Sequence, residues 1–291
     1  MRMWFIGLVF IVMFSCAVSA IDTLDVYYLN VGHGDAILLN YADWECLIDT
    51  GYGNEWPQDD PDWDLLADLI DGPLDVFVLS HPDQDHYSAF DLIGCAFPIQ
   101  NILHTATPEA LSRVDELLAE LECNCPEVYP SKPKTLALSA HSDTSQVRLL
   151  PELRVLHPTI EFYVDEDDKN ENSLVLLISL GEVSFLFPGD IELRGETVLQ
   201  TTEKIGGTLI LKVSHHGSAS STSLGFLDWA DPELAIISGS SEDLDHNTVS
   251  NLGAYGIPYL TTYGNGTICV STDGSAVWVT TNTVAYATPR E

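Results

Sequence analysis

Residues 81–86 read His-Pro-Asp-Gln-Asp-His, two imidazoles and two carboxylates within six positions, directly after the apolar run Val76–Leu79. A tight turn there can aim His81 and Asp83 at one point and Asp85 and His86 at another, as a pair of divalent cations a few ångströms apart requires. Mixed aspartate and histidine donors suit zinc, manganese or iron better than magnesium alone. The bland alternative is a polar loop whose side chains merely cap the next helix, and four donors at this density argue against it. Two further groups have the same form. Asp190 follows Phe185-Leu186-Phe187-Pro188-Gly189, where the glycine lets backbone approach closely and the two carboxylate oxygens could serve two metals. His215 and His216 follow the apolar run Leu209–Val213. Adjacent histidines on a strand point to opposite sides, so one would bind metal and the other orient a substrate or fill space behind the ligands. His246, after the run Leu234–Ile237, is a fourth candidate.

Positioning these groups takes strands that end at one edge. Leu24–Leu29, Ala36–Leu39 and Cys46–Ile48 read as strands, with Asn30–Asp35 a glycine turn between the first two. Trp63–Leu69 reads as a helix and Val76–Leu79 as a buried strand. Thr107 is an N-cap with Pro108 in the first helical position, and Leu111, Val114, Leu117, Leu118 and Leu121 share one face. The second half repeats the theme. Val147–Leu156 is strand-like, Leu174–Leu180 and Val183–Phe187 form a hairpin about Gly181, and Glu192–Thr202 is helical. Strands at Leu209–Val213 and Leu234–Ile237 enclose a short helix at Ser223–Trp229, and Thr267–Val270 with Ala276–Val279 close the chain about Gly274. Two runs of strands separated by helices imply two packed sheets with helices outside.

In order, LDVYYLNVGHGDAILL, LIDTG, LSHPDQDH, NENSLVLL, FLFPGDIE and LKVSHHGSASSTS make the chain resemble the metallo-β-lactamase superfamily, and within it the ComEC-type extracellular hydrolase domains. The resemblance spans about Leu24 to Val279. It implies an α/β fold, a four-layer αββα sandwich, with two divalent metal ions (zinc or manganese) at one edge and hydrolysis by a metal-activated water. It places His81, Asp83, Asp85, His86, Asp190 and one of His215 and His216 at metal-binding positions. Asp49 resembles a position that supports the centre from behind. Asp85, His215 and His216 are the candidates for handling protons. His33 stands where this branch has glutamine, Asn30 where it has aspartate, and Pro188 where it has threonine. His33 could still reach the site from its glycine turn. His104, His141 and His157 stand singly and read as surface or satisfied core positions.

The resemblance favours phosphodiester or other small anionic substrates, including single-stranded nucleic acid. Ester, lactone or thioester hydrolysis is the alternative at the same metals, and a non-catalytic binding domain of the same fold is the third reading.

Composition limits how such a substrate binds. The 291 residues carry 44 Asp and Glu against 11 Lys and Arg, a formal charge of −33, with 45% hydrophobic residues. That excludes a basic nucleic-acid-binding module, and the apolar content excludes a disordered acidic tail. Such a chain repels anionic polymers at low salt, unless bound metals concentrate positive charge locally. The acidic clusters at 59–64 and 165–168 lack calcium-loop spacing and read as solvated loops.

Residues 1–20 have the layout of a secretory signal peptide: Arg2, the apolar run Trp4–Phe14, and Val18-Ser19-Ala20 at the cleavage position. The expectation is therefore an exported protein, secreted or periplasmic, with residues 21–291 forming one hydrolase domain and no stable membrane span after cleavage. Five cysteines remain after the signal, an odd number without metal-type spacing, which reads as buried thiols plus one or two bridges.

Overall fold

A computed structural model describes residues 22–52, 61–105, 107–124, 134–135, 151–158, 168–282 and 285–287. The signal segment, Cys16, Cys125 and His141 lie outside them. The strands are β1 (Leu24–Tyr28), β2 (Ile37–Tyr41), β3 (Trp44–Ile48), β4 (Val76–Leu79), β5 (Asn101–His104), β6 (Lys134–Thr135), β7 (Glu152–His157), β8 (Val175–Leu180), β9 (Val183–Phe187), β10 (Thr208–Lys212), β11 (Leu234–Ile237), β12 (Tyr259–Thr261), β13 (Ile268–Thr272), β14 (Val277–Thr281) and β15 (Ala285–Ala287). Among the described residues they form two sheets, in the orders β15-β14-β13-β1-β2-β3-β4-β5-β6 and β12-β11-β10-β9-β8-β7.

Each sheet is antiparallel on one side and parallel on the other. Strands β1, β2 and β3 pair antiparallel, then β3, β4 and β5 run parallel. In the second sheet β7, β8 and β9 are antiparallel and β9 to β12 parallel. The composition of the strands follows from what covers them. All four residues of β4 and all five of β9 and β10 are buried, apart from the buried cation Lys212 mostly as continuous apolar runs, because both sheet faces are covered.

Three apolar layers show the stacking. Val26, Leu39, Val78, Leu176, Phe185 and Ile236 pack between the sheets. Phe77, Phe90, Ile93, Val114 and Leu121 join the first sheet to α1 (Pro61–Leu69), α3 (Phe90–Ala96) and α4 (Pro108–Asn124), which follow and precede the single turn α2 (Gln84–Tyr87). Leu186, Leu211, Phe226 and Leu252 join the second to α5 (Leu193–Leu199), α6 (Leu224–Ala230) and α7 (His246–Tyr255), beyond which lies the short α8 (Thr262–Asn265). The molecule is the expected α/β, four-layer αββα sandwich.

Local differences have local causes. Thr107 caps α4, its Oγ1 accepting from the Ala110 amide at 3.2 Å, but Leu111 is 48% exposed at the border of the apolar stripe. The helix expected to run to Thr202 stops at Leu199, where the Thr201 and Thr202 hydroxyls donate to the Val198 and Leu199 carbonyls. Asp62, read as part of a solvated loop, is buried and accepts from the Thr267 hydroxyl at 2.5 Å, tying α1 to the turn before β13. Cys46 and Cys269 are free thiols and Cys95 is disulfide-bonded. No helix among the described residues is long and apolar enough to cross a membrane.

Candidate metal centre

The carboxyl ends of parallel strands from both sheets meet at one edge, the usual place for a site in an open α/β sheet. Asp49 follows β3, Ser80 and His81 follow β4, Asp190 follows β9, His215 and His216 follow β10, and Ser238 follows β11. Turn 30–35 closes over them. Gly34 has φ +103°, and a Cβ there would stand 2.0 Å from the Asp85 carbonyl oxygen, so only glycine lets the two loops touch. Gly189 has φ +58° and packs on Ser173, whose hydroxyl accepts from the Asp190 amide at 3.1 Å.

Asp190 Oδ2 is the focus. The Nε2 atoms of His86, His216, His215 and His81 stand 3.4, 3.4, 3.8 and 3.9 Å from it. Asp85 Oδ2 lies 3.6 Å from His86 Nε2 and 3.5 Å from His216 Nε2, while Asp83 Oδ2 lies 3.7 Å from His81 Nε2. Two donors sharing one tetrahedral ion at about 2.1 Å stand ~3.4 Å apart, so these separations fit ligands around common ions. The Nε2 atoms of His81, His86 and His216 are buried without a hydrogen-bond partner. Three orphaned imidazole nitrogens facing one carboxylate oxygen are expensive unless something occupies the point between them.

What lies behind each ring fixes its tautomer. His86 Nδ1 donates to Asp49 Oδ2 at 2.7 Å, His81 Nδ1 to Ser80 Oγ at 3.0 Å, and His216 Nδ1 to the Ser238 carbonyl at 3.0 Å. Ser80 in turn donates through Oγ to Asp49 at 2.6 Å. Each ring therefore turns its Nε2 inward, the nitrogen left to face a metal when Nδ1 is held from behind. Asp49 is fully buried with φ +58°, and its carboxylate also accepts from the Ser80 amide at 2.8 Å.

The adjacent histidines do not split across a strand as expected. Strand β10 ends at Lys212, and His215 and His216 both take left-handed backbone values in a tight turn, which sends both Nε2 atoms toward Asp190. They differ in surroundings. His216 is buried, whereas His215 is 26% exposed with Nδ1 donating to Glu192 Oε1 at 3.1 Å.

His33 reaches the rim. Its Nε2 is 3.1 Å from Asp85 Oδ2 and its Nδ1 3.0 Å from Asp243 Oδ2. Hydrogen bonding to Asp85 outweighs burial and, with Asp243, raises its pKa to about 9, and both of its ring nitrogens are engaged by these two carboxylates and not turned toward Asp190. His246 is not brought to the cluster. It begins α7 with an exposed side chain, because Asp245 serves as the helix cap and accepts from the Asn247 amide at 2.7 Å. The acid that this segment delivers is Asp243.

Sequence reasoning also passed over Asp35 and Lys212. Lys212 Nζ is buried against Asp35 Oδ2 and stands 3.5 Å from Asp190 Oδ1. Burial opposes its charge, but Asp35 and Asp190 outweigh that and raise its pKa. Asp35, His86, Asp190 and His216 each bring one donor atom within 4.8 Å of the others. Asp35, however, faces the Nδ1 side of both rings, 4.0 Å from His86 and 3.5 Å from His216, with its oxygens taken by Lys212 and Ser238. Its place is behind the donors, not among them. Only a lysine inside an otherwise apolar strand could have signalled this pair.

The charges explain what holds the cluster together. Burial opposes charge on His216, but Asp190 and Asp35 raise its pKa to about 10. For His86, Asp190 and Asp49 likewise overcome burial and raise it well above the ordinary value. His81, buried and beside the His86 cation, falls to about 3. Asp190 stays well below the usual carboxylate range despite its burial, because His216, His86 and Lys212 surround it. A cavity of about 1100 Å³ lies elsewhere, at the opposite strand ends near Glu182, Gly207 and Trp229. None of the metal-type donors lines it.

Residues 29–240 match the sequence profile of the metallo-beta-lactamase superfamily. The chain is 26% identical over 265 residues to ComE operon protein 3 of Bacillus subtilis, covering 84% of this chain and 32% of that protein. It is 30% identical over 226 residues to Recombination protein 2 of Haemophilus influenzae, covering 75% and 24%. It thus spans a quarter to a third of the length of these relatives. Among solved structures, the metallo-beta-lactamase fold protein YhfI from Bacillus subtilis has a TM-score of 0.50 at 12% identity, covering 89% of this chain and 100% of that one. The long form RNase Z from yeast has a TM-score of 0.50 at 12% identity, covering 86% and 42%. These two likenesses are ones of fold.

Proposed function

The chain belongs to the metallo-beta-lactamase superfamily, and from that premise we propose that it is an exported metal-dependent hydrolase that cleaves phosphodiesters, including those of single-stranded nucleic acid. The observation that carries this reading is the convergence of three unpartnered imidazole Nε2 atoms on Asp190 Oδ2. His81, Asp83 and Asp190 would hold one divalent ion, and Asp85, His86, His216 and Asp190 a second, zinc or manganese. When bound, such ions supply Lewis acidity toward a phosphoryl oxygen and lower the pKa of water toward about 7.

The remaining roles fall to the protein. His216, buried and fixed by Ser238, is the metal-binding member of the pair. His215 is at the solvent edge with Nδ1 anchored on Glu192, so its Nε2 can hold the proton given to a leaving oxygen. Asp49 keeps His86 in one tautomer. His33, donating to Asp85, helps to hold that carboxylate in place. The competence and recombination names of the relatives support a nucleic-acid substrate, and a disulfide at Cys95 supports an oxidising compartment. We assign residues 1–20 to a signal peptide and 21–291 to one hydrolase domain.

The test is hydrolysis of bis(p-nitrophenyl) phosphate and a short single-stranded oligonucleotide with Mn²⁺ or Zn²⁺. Wild type should cleave both, and Asp190→Ala should lose about 10²- to 10³-fold in kcat, the scale on which removing an electrostatic stabiliser acts. Metal-loaded wild type that cleaves neither would remove the catalytic reading.

A further inference from the structure

The two halves of the centre are built unequally. Around Asp85, His86 and His216, donor separations are 3.4 to 3.6 Å, both rings are buried, and Asp85 is 18% exposed. Around His81 and Asp83 they are 3.7 and 3.9 Å, and Asp83 is 35% exposed. Asp83 also already has a cation. Lys169 Nζ lies 3.0 Å from Asp83 Oδ1 and 3.0 Å from Glu109 Oε1, so the ammonium sits between the metal-type carboxylate and the first turn of α4. Among the described residues Asp85 instead meets the imidazoles of His33, His86 and His216, at 3.1, 3.6 and 3.5 Å, and no lysine ammonium.

We infer that the centre loads its metals stepwise, and that Lys169 is a tethered cation competing for Asp83, which makes the His81 half the weaker site. The inference rests on the metal-dependent reading above and adds to it an order of binding and the residue that sets it. An ion arriving beside Asp83 must share or displace the ammonium. The Asp83 to Lys169 pair is half exposed, so it is weak enough to yield. Glu109 gives the displaced ammonium a second carboxylate to rest on, which keeps the exchange reversible. A protein with this device would hold one ion firmly and take the second according to the metal supply.

The experiment is a Zn²⁺ titration of the mature protein against a chromogenic chelator, with no substrate present. Wild type should show a tight step and a weaker one, and Asp83→Asn should lose only the weaker. Lys169→Met should tighten the weaker step by about 3-fold, the size of a half-exposed ion pair. Lys204→Met removes an equal charge from an exposed pair with Asp228, remote from the donors, and should move neither step. Two indistinguishable steps, loss of the tight step in Asp83→Asn, or an unchanged weaker step in Lys169→Met would overturn the inference while leaving the metal-dependent reading standing. A wild type that binds no zinc would overturn both.

Discussion

At the scale of single residues, the site works through what stands behind each donor. Asp49→Asn keeps the size of the side chain but can no longer hold His86 in one tautomer by a charged acceptor. We expect Zn²⁺ affinity to fall about 10- to 100-fold, as it does when such supporting partners are changed, with the fold intact by circular dichroism. The same contacts give a pH signature. The pKa of His216 is raised to about 10, above the ~6.5 of a free imidazole. Its contribution to the metal-free protein is therefore complete below about pH 6.5 and lost as pH climbs toward 10. The Tm of chelator-treated protein should fall between pH 7 and 10, while that of metal-loaded protein should not, since a cation then replaces the protons. Parallel profiles would show that His216 does not exchange a proton for metal. Lys212→Met leaves Asp35 and Asp190 buried without their cation and should cost about 3 to 5 kcal/mol, read by urea denaturation in chelator.

At the scale of elements, the donors were legible because each group follows an apolar run, and a run of buried strand residues ends where the chain meets solvent. Val76–Leu79 into His81 and Phe187 into Asp190 are plain in the sequence for that reason. The His215 and His216 geometry was not, because a left-handed turn replaces the strand whose alternation the reading used. Asp243 and Lys169 were hidden for a different reason. They come from loops whose approach to the site depends on tertiary packing and leaves no periodic trace. Two substitutions separate elements that build the site from those that only support the fold. Thr107→Ala removes the cap of α4 and should cost ~1 kcal/mol with unchanged zinc binding. Gly34→Ala drives a Cβ into the Asp85 carbonyl and should weaken zinc binding together with stability. Equal effects of the two on metal affinity would mean that the glycine turn does not position Asp85.

At the scale of the whole molecule, fold class and layer order followed from two runs of strands with helices between them, and the net charge of −33 acquires a narrower meaning. In the proposed centre, Asp83, Asp85 and Asp190 have Lys212, Lys169 and His33 among their cationic neighbours. An anionic substrate would therefore meet favourable charge chiefly at the centre and repulsion around it. Proteins that neutralise many phosphates lose affinity steeply as salt rises. Here screening should help instead, so kcat/KM for a long single-stranded oligonucleotide should rise or stay flat between 50 and 300 mM salt, concentrations chosen for the assay to span the change in screening around ~0.1 M. A steep fall would reveal a basic track bearing on the substrate.

The central claim is that histidines and aspartates from both sheets form one metal centre joined through Asp190. Native mass spectrometry of mature protein loaded with excess Zn²⁺ and desalted reads it directly, with Asp190→Ala beside wild type. Wild type should carry up to two ions per chain, and Asp190→Ala should lose both or keep a weakly held one. Wild type without zinc, or two proteins with identical metal content, would contradict the account.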